Sequence, residues 1–449
     1  MNVVIGLGKT GISCVDYFQR QGKPVTLLDT RDDPPGLAAF QTTYPDVPVI
    51  TGQLPAALLL ATDEIVVSPG ISLQTPALAS AIEQGVACIG DIELFAREAT
   101  APIVAITGSN GKTTLTHMVA QMVRDAGLTA EVCGNVGVPV LDLLKDKTPD
   151  VYVMELSSFQ LETTFSLKPN VAVVLNVSPD HMDRYASVAA YRAAKQRVYR
   201  GCHFAILNAD EPEIWQQGVL PESPSNQLLI STRHVLADGF SISPDNRVCL
   251  DAKPWVATSE FAYHGGHHNQ NTLAALAIGH CLGLTKDTML ASLKAFKGLH
   301  HRCEKIATLD GVDWYNDSKA TNVGAVVAAL NSLGPRYSDI ILIAGGDAKQ
   351  ADLSGLQPVL KQYVSRLIVI GAAADELQIL FGEVVSTHYA CGLEAAVHEA
   401  RQCATMGSAV ILSPACASWD MFESYEQRGN LFKEAVQELI DEQGNATQT

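Results

Sequence analysis

Several features that would place the chain in other protein classes are missing from its sequence. No run of about 18 apolar residues is present, which argues against a membrane-spanning helix. The ten cysteines form no CxxC pair, so buried reduced thiols are expected rather than disulfides or zinc sites. No long basic block occurs and the net charge is −17, which argues against nucleic acid as a partner. The N-terminal MNVVIG carries no signal-peptide features, so a cytoplasmic location is expected.

The composition that is present suits a globular enzyme. Hydrophobic residues make up 47% of the chain and charged residues only 18%, the reverse of what disorder would need. A length of 449 residues indicates more than one domain. Because the overall charge is negative, an anionic substrate must be captured by local loops, helix N-termini and single basic side chains.

Short apolar β-rich runs alternate with helical stretches, which predicts an α/β fold with parallel sheets. The runs fall into three groups. We therefore expect three domains: a Rossmann-like domain over 1–92, a central P-loop ATPase-like parallel sheet domain over 93–298, and a C-terminal Rossmann-like domain over 299–449. A monomer is expected.

The stretch 102–114, PIVAITGSNGKTT, has the order that a phosphate cradle needs: a β-rich strand, a glycine loop and a helix. Backbone N–H groups and the helix N-terminus would face the phosphates, Lys112 would reach the β- and γ-phosphates, and Thr113 could ligate Mg²⁺. The loop is a variant form, because Ile106 occupies the position of the first P-loop glycine. A plain glycine turn with a solvated lysine is the competing interpretation.

A second glycine loop, VVIGLGKTGIS (3–13), fits the GxGxxG pattern of dinucleotide-binding folds. Asp29 ends the next strand, the usual place for an acid that binds a ribose hydroxyl. Alone, the pattern would also fit tight glycine packing or an NAD-dependent dehydrogenase. No hydride-transfer site is visible downstream, and an NADH fluorescence titration would test that alternative.

Polar residues also follow other apolar strands. The carboxyl ends of such strands are where ligands bind in α/β domains. Glu155 ends one such strand, and His181 lies just beyond another. Lys195 lies in the helical YRAAKQRVY and by itself would be a solvated surface lysine. Asp317 and Lys319 in NDSKATN could be an ordinary surface turn or could both reach a ligand. The adjacent His267 and His268 point apart, so a metal pair is disfavoured there.

Taken together, these motifs resemble the Mur ligases, ATP-dependent amide-bond-forming enzymes of peptidoglycan synthesis. The resemblance rests on ITGSNGKTT, ELSSFQLE, LNVSPDHMDRY, YRAAKQRVY, HHRCE, NDSKATN, GGDAK and SPACASWDMFESYEQRGN, and it covers nearly the whole chain in order. It implies that ATP phosphorylates UDP-N-acetylmuramoyl-L-alanine and that D-glutamate then attacks, with two Mg²⁺ ions as cofactors. The first glycine loop would bind the UDP group and the second the ATP.

The resemblance also implies roles for individual residues. Catalysis would involve Lys112, Glu155, His181 and Lys195, and the metal ligands would be Thr113, Glu155, His181 and Lys195 as a carbamate. ATP would contact Gly108, Ser109, Asn110, Gly111, Lys112, Thr113, Thr114, Asn271, Arg302 and Asp317. The UDP substrate would contact Thr10, Asp29, Thr30, Ser68, Gly70 and Asn135. D-glutamate would contact Lys319, Thr321, Lys349, Ser418 and Tyr425.

The sequence departs from the family pattern at three places. His268 stands where the family often has Asn, Tyr425 where it has Phe, and Lys9 where an apolar residue is common. Three alternatives remain open at this point, and the first is the NAD-dependent dehydrogenase described above. A folylpolyglutamate synthetase-like ligase shares the ATP loop but lacks the N-terminal UDP domain, and a non-enzymatic nucleotide switch would hydrolyse ATP without an acceptor.

Overall fold

The computed structural model describes residues 2–145, 147–182, 184–215, 226–261, 266–349 and 351–446. The chain divides into two compact units. The first consists of Met1–Val177, Ser187–Glu260 and Gln270–Lys294, and the second of Ser178–Ala186, Phe261–Asn269 and Ala295–Thr449. Within the described residues, the first unit carries two β-sheets and the second carries one.

The first sheet is parallel and has the strand order β3-β2-β1-β4-β5. Its strands are β1 Asn2–Ile5, β2 Val25–Asp29, β3 Val49–Thr51, β4 Glu64–Val67 and β5 Ala87–Ile89. Its helices are α1 Lys9–Arg20, α2 Leu37–Thr43, α3 Ala56–Leu60, α4 Pro76–Glu83 and α5 Asp91–Glu98. The order reverses direction between β1 and β4, which is where doubly wound sheets open a ligand crevice.

The second sheet has the order β14-β13-β12-β11-β10-β9-β6-β8-β7, parallel from β7 to β12 and antiparallel at β13 and β14. Its strands are β6 Ile103–Thr107, β7 Ala130–Gly134, β8 Val151–Glu155, β9 Val171–Val174, β10 Phe204–Asn208, β11 Asn226–Ser231, β12 Phe240–Ile242, β13 Arg247–Leu250 and β14 Lys253–Ala257. The helices that follow these strands are α6 Lys112–Asp125, α7 Ser158–Glu162, α8 Val188–Gln196, α9 Gly266–Cys281 and α10 Lys286–Ala295.

The third sheet has the order β15-β16-β20-β17-β18-β19, with β15 antiparallel to a parallel remainder. Its strands are β15 Glu304–Leu309, β16 Val312–Asn316, β17 Ile340–Gly345, β18 Val364–Ile370, β19 Ser386–Tyr389 and β20 Ala409–Leu412. Its helices are α11 Val323–Leu333, α12 Gln357–Tyr363, α13 Ala374–Phe381, α14 Leu393–Cys403 and α15 Tyr425–Ala446.

Central strands of parallel sheets are expected to be buried along their whole length, since helices cover both faces of such sheets. Every residue of β6 is buried, as is every residue of β17. The predicted α/β class with three parallel-rich sheets is therefore confirmed. The ten cysteines are all free thiols. Among the described residues, no helix combines the length and the apolarity that a membrane crossing needs.

Local capping fixes several helices that carry candidate site residues. Ser157 and Gln160 form a reciprocal capping box at the start of α7, directly after Glu155. Ser187 caps α8 by accepting a hydrogen bond from the backbone of Ala190. Asn322 does the same for α11, so these helix starts are defined by residues that favour N-caps.

Candidate functional site

The glycine loop that joins β6 to α6 is held in place by the end of the neighbouring strand β9. The backbone N–H of Ser109 donates to the carbonyl of Asn176 at 2.9 Å. The backbone N–H of Asn110 donates to Asn176 Oδ1 at 2.9 Å, and Asn176 Nδ2 donates back to the Asn110 carbonyl at 3.1 Å. Asn176 thus holds both the N–H and the carbonyl of one loop residue, Asn110. Sequence motifs alone pointed to no role for Asn176, although a polar residue just past an apolar strand was a usable signal.

Lys112 folds back over this loop. Its Nζ donates to the carbonyls of Gly108 at 2.8 Å and Ser109 at 3.0 Å. Gly111 precedes α6 with φ +84°, and a Cβ there would lie 2.7 Å from Asn271 Oδ1, so glycine is required by both conformation and space. A positive charge at a glycine loop on a helix N-terminus forms a cradle for phosphate.

Asn271 contacts the same cradle from α9. It is buried, and its Nδ2 donates to the Gly111 carbonyl at 3.5 Å. The adjacent Gln270 donates to the Leu175 carbonyl at 2.8 Å and accepts from Asn176 Nδ2 at 3.4 Å. The structure therefore brings Asn271 to the predicted ATP loop and adds Gln270, which the sequence did not single out.

Glu155 lies at the carboxyl end of β8, the strand beside β6. It is 2% exposed, and its Oε1 accepts a hydrogen bond from Asn135 Nδ2 at 2.8 Å. Its Oε2 is buried and has no hydrogen-bond partner among the described residues. A buried carboxylate oxygen without a partner is costly, and it is the kind of oxygen that Mg²⁺ prefers. Asn135, predicted to contact the UDP substrate, orients this carboxylate in the structure.

Lys195 is not the solvated surface lysine that its helical context suggested. It is 1% exposed, its Nζ donates to the Gly108 carbonyl at 2.9 Å, and it lies 4.4 Å from the centre of the Tyr191 ring. Tyr191 and Lys195 are four residues apart on α8, so they share the buried face of that helix. The expectation of a solvated Lys195 was wrong because α8 packs the face that carries Lys195 toward the phosphate loop.

The predicted metal ligands fall in both units. Thr113, Glu155 and Lys195 belong to the first unit, and His181 belongs to the second. His181 has a left-handed backbone, φ +57°, and its N–H donates to Asp180 Oδ1 at 3.0 Å. Within the described ranges, no group of three or more His, Cys, Asp or Glu side chains is placed to hold a metal. The fit to Mg²⁺ therefore rests on the unpartnered oxygen of Glu155 and on oxygens that a modified Lys195 would add.

The first glycine loop follows β1 and is organised by Asp29. The Asp29 carboxylate is buried and accepts from the Leu7 N–H at 2.7 Å and from Arg31 Nε at 2.9 Å and NH2 at 2.8 Å. Hydrogen bonds from Arg31 lower the pKa of Asp29 to about 2. Arg31, which the sequence did not single out, thus fixes Asp29 in its charged form beside the loop.

Other predicted UDP-site residues surround the same crevice of the first sheet. Ser68 follows β4, and its Oγ donates to the Gly6 carbonyl at 3.4 Å. Gly6 has φ +107°, and a Cβ there would lie 2.7 Å from Ser68 Oγ. Thr10 lies in the first turn of α1, and Gly70 follows Ser68 in the loop after β4. Thr30 is exposed directly after Asp29.

In the second unit, the predicted D-glutamate residues lie on loops after β16, β17 and β20. Lys319 Nζ is 3.8 Å from the centre of the Tyr425 ring, and Lys349 Nζ is 4.5 Å from the centre of the Trp419 ring. Ser418 is buried, and the Thr321 N–H donates to the Lys319 carbonyl at 2.9 Å. These loops bring two ammonium groups to the carboxyl edge of the third sheet.

Arg428, on α15, ties two of these loops together, the loop after β16 and the loop after β20. Its guanidinium is fully buried and donates to Ser318 Oγ at 3.0 Å, to the Ser318 carbonyl at 2.9 Å, and to the carbonyls of Cys416 at 3.2 Å and Ala417 at 3.3 Å. Ser318 Oγ in turn donates to the Tyr425 carbonyl at 2.8 Å. Burial lowers the pKa of Arg428 to about 10, so it stays protonated at neutral pH. Sequence motifs alone pointed to no role for Arg428.

Asp317, a predicted ATP contact, is also buried in the second unit. It accepts from Ser413 Oγ at 2.8 Å and from the Cys303 N–H at 3.1 Å. Burial raises the pKa of Asp317 to about 6. Arg302, the other ATP contact predicted here, lies between α10 and β15. Asp317 is 6% exposed, too buried for the simple surface turn that was one interpretation of NDSKATN.

A phosphate loop on a parallel sheet, accompanied by two further α/β sheets, defines a nucleotide-binding α/β protein of several domains. Comparison with known families gives three matches along the chain. They are "Mur ligase MurD-like, N-terminal domain" at residues 1–90, "Mur ligase middle domain" at 106–279 and "Mur ligase, glutamate ligase domain" at 301–416.

Similar proteins extend over almost the whole chain. A UDP-N-acetylmuramoylalanine–D-glutamate ligase of Coxiella burnetii is 46% identical over 443 residues, covering 98% of this chain and 99% of that protein. The protein of the same name from Marinobacter nauticus is 46% identical, with 97% and 98% covered. The structure of the MurF ligase of Thermotoga maritima in complex with ADP has a TM-score of 0.63 at 16% identity, with 97% and 95% covered. The chain belongs to the Mur ligase family.

Proposed function

We propose that this protein is an ATP-dependent ligase that joins D-glutamate to UDP-N-acetylmuramoyl-L-alanine in the cytoplasmic assembly of peptidoglycan precursors. The observation that carries the proposal is the near-full-length similarity to relatives with that named activity, at 44–46% identity. The braced phosphate loop, with Lys112 over it and Glu155 beside it, supplies a site for the triphosphate.

The proposed reaction has two steps. An oxygen of the L-alanine carboxylate attacks the γ-phosphorus of ATP, ADP leaves, and an acyl phosphate forms. The amine of D-glutamate then attacks the carbonyl carbon, a proton is lost, and phosphate leaves from the tetrahedral intermediate with an amide as product. Lys112 binds and orients the phosphates, and the N-terminus of α6 faces the charge that moves. The protein supplies mainly orientation and charge.

Magnesium fits the oxygen donors of the first unit. Thr113, Glu155 and a carbamylated Lys195 would hold it there, with His181 as a further ligand, and two ions are proposed. Bound Mg²⁺ would supply charge neutralisation on the phosphoryl groups. Glu155 supports this assignment because one of its oxygens is buried without a hydrogen bond in the described part of the chain.

The carbamate converts Lys195 from a cation into an oxygen ligand. Its neutral amine would attack CO₂ and lose a proton, which leaves a carbamate anion. A Lys195→Ala variant should lose activity and recover part of it with short carboxylates. Full activity in that variant without any rescue would rule the carbamate out.

The remaining proposals assign binding residues to the three substrates. We propose that Thr10, Asp29, Thr30, Ser68, Gly70 and Asn135 bind the UDP substrate, that Asn271, Arg302 and Asp317 complete the ATP site, and that Lys319, Thr321, Lys349, Ser418 and Tyr425 bind D-glutamate. Domain boundaries at 92 and 298 are proposed as well, and the family matches at 1–90, 106–279 and 301–416 support them. The protein is proposed to be a monomer.

Phosphate release from Mg·ATP tests the function directly. Release should require UDP-N-acetylmuramoyl-L-alanine and D-glutamate together, and each substrate is omitted in turn as a control. L-glutamate should be inert. Release that proceeds without D-glutamate would contradict the proposal and would point to an ATPase or to a different acceptor.

A further inference from the structure

Trp419 is an unusual residue to find exposed beside a binding site. It lies on the loop after β20 and is 69% exposed, so it contributes little to the core. Its defined contact is with the side chain of Lys349, whose Nζ lies 4.5 Å from the centre of the indole ring. The function proposed above uses Lys349 but assigns nothing to Trp419.

The backbone on both sides of this contact is fixed. Asp347 and Ala417 form an antiparallel bridge with hydrogen bonds of 3.0 and 2.8 Å, which joins the loop after β17 to the loop after β20. Asp347 Oδ1 accepts from the Lys349 N–H at 2.9 Å, and Lys349 has a left-handed φ of +49°. On the other side, Asp420 Oδ2 accepts from the Ala372 N–H at 2.8 Å. The ring and the ammonium are therefore anchored close to each other.

An aromatic ring holds an ammonium group differently from a carboxylate. The ring face attracts the cation but does not neutralise it, and it occupies none of the three N–H donors in a conventional hydrogen bond. Within the described residues, Lys349 has no carboxylate as an ion-pair partner. Its charge therefore remains available to an incoming anion.

The same arrangement occurs a second time at this sheet edge. Lys319 lies 3.8 Å from the centre of the Tyr425 ring, on a segment that Arg428 fixes through Ser318. Two ammonium groups, each set on an aromatic ring, suit an amino acid with two carboxylates.

We propose that Trp419 is a positioning residue that holds the Lys349 ammonium for one carboxylate of a dicarboxylic amino acid. The inference rests on the proposed function, and it names the device by which that site prefers a substrate with an acidic side chain. Trp419 acts through Lys349 and need not touch the reacting atoms.

The test compares Trp419→Leu with Trp419→Phe. An exposed cation–π contact is worth about 0.5–1 kcal/mol, so Trp419→Leu should raise the KM for D-glutamate by about 2–5-fold. Trp419→Leu should change the KM for D-glutamate but not kcat. The KM values for ATP and for the UDP substrate should stay unchanged. Trp419→Phe keeps a ring and should recover most of the affinity.

The chain offers a matched control. Trp255 lies 4.7 Å from Lys286 Nζ, a similar ion–ring pair on another sheet. Trp255→Leu should leave the KM for D-glutamate unchanged. As a readout independent of turnover, D-glutamate titrated into the wild-type enzyme should change tryptophan fluorescence, and Trp419→Phe should lose that change.

Two failures are distinguishable. A wild-type enzyme with D-glutamate-dependent phosphate release and an unchanged KM in Trp419→Leu would overturn this inference alone. An equal rise in KM for Trp255→Leu would overturn it as well. A wild-type protein whose phosphate release ignores D-glutamate would overturn the proposed function and the inference with it.

Discussion

Replacing Asn176 by Ala should weaken ATP binding about tenfold while leaving the fold intact. Two hydrogen bonds join the Asn176 amide to the backbone of Asn110, at 2.9 and 3.1 Å. A neutral hydrogen bond contributes about 0.5–1.5 kcal/mol, so losing two would cost about 1–3 kcal/mol. Because Asn176 is partly exposed, water can replace part of the loss, and we expect a value near 1.4 kcal/mol.

This cost should appear in binding because the loop must be ordered to face the phosphates. Isothermal titration with Mg·ATP measures the affinity, and a urea unfolding curve measures the stability. Asn170→Ala is the matched control, since Asn170 Oδ1 accepts from the Ile103 N–H at 3.1 Å at the opposite end of the same strands. That variant should lose stability without losing ATP affinity.

Two results would refute the role of Asn176 in ordering the phosphate loop. If Asn176→Ala binds ATP within twofold of the wild type but unfolds at lower urea, the two bonds serve the fold and not the phosphate cradle. If both asparagine variants lose affinity equally, the effect comes from the sheet as a whole. In either case Asn176 would have no special role at the loop.

Three further predictions concern charged residues of the sites. Glu155→Gln should fold normally and reduce the rate of phosphate release on the order of 100-fold, measured across a Mg²⁺ titration, because it removes the charge of a buried carboxylate. Asp29→Asn should be less stable than wild type at pH 7 in urea unfolding. Since the pKa of Asp29 is lowered to about 2, the difference should persist above about pH 4, the usual aspartate value, and shrink as pH falls toward 2. Arg428→Lys should raise the KM for D-glutamate on the order of tenfold but not that for ATP, because lysine cannot reproduce the guanidinium's bonds to two loops. A Glu155→Gln enzyme with wild-type rate, a stability gap for Asp29→Asn that does not change with pH, or an ATP KM that rises with that of D-glutamate in Arg428→Lys would each contradict these expectations.

Much of the fold was predictable because the signals were local. The strand, glycine loop and helix at 102–114 follow one another in sequence, and each is recognisable from the residues themselves. The three parallel-rich sheets follow from apolar runs that alternate with helical stretches. Glu155 could be placed at a sheet edge for the same reason, since it directly follows an apolar strand.

The residues that hold the site loops in place could not be predicted in this way, because they come from distant parts of the chain. Asn176 braces a loop that lies 66 residues earlier, and Arg428 contacts Ser318 across 110 residues. Lys195 was misjudged because its burial depends on what α8 packs against rather than on its neighbours in sequence. Arg31 is similar, since an exposed arginine next to a turn gives no sign that it holds Asp29.

The segment Ser178–Ala186 restricts how chimeras of this enzyme and its relatives can be built. It lies more than a hundred residues before Ala295–Thr449, the largest part of the second unit, yet it belongs to that unit. There Asp180 Oδ2 accepts a hydrogen bond from Asn322 Nδ2 at 3.4 Å. A chimera joined only near residue 298 would pair one parent's Asn322 with the other parent's Asp180 loop. The exchangeable module is therefore discontinuous, and a clean swap must carry both short inner segments, Ser178–Ala186 and Phe261–Asn269, together with the C-terminal portion.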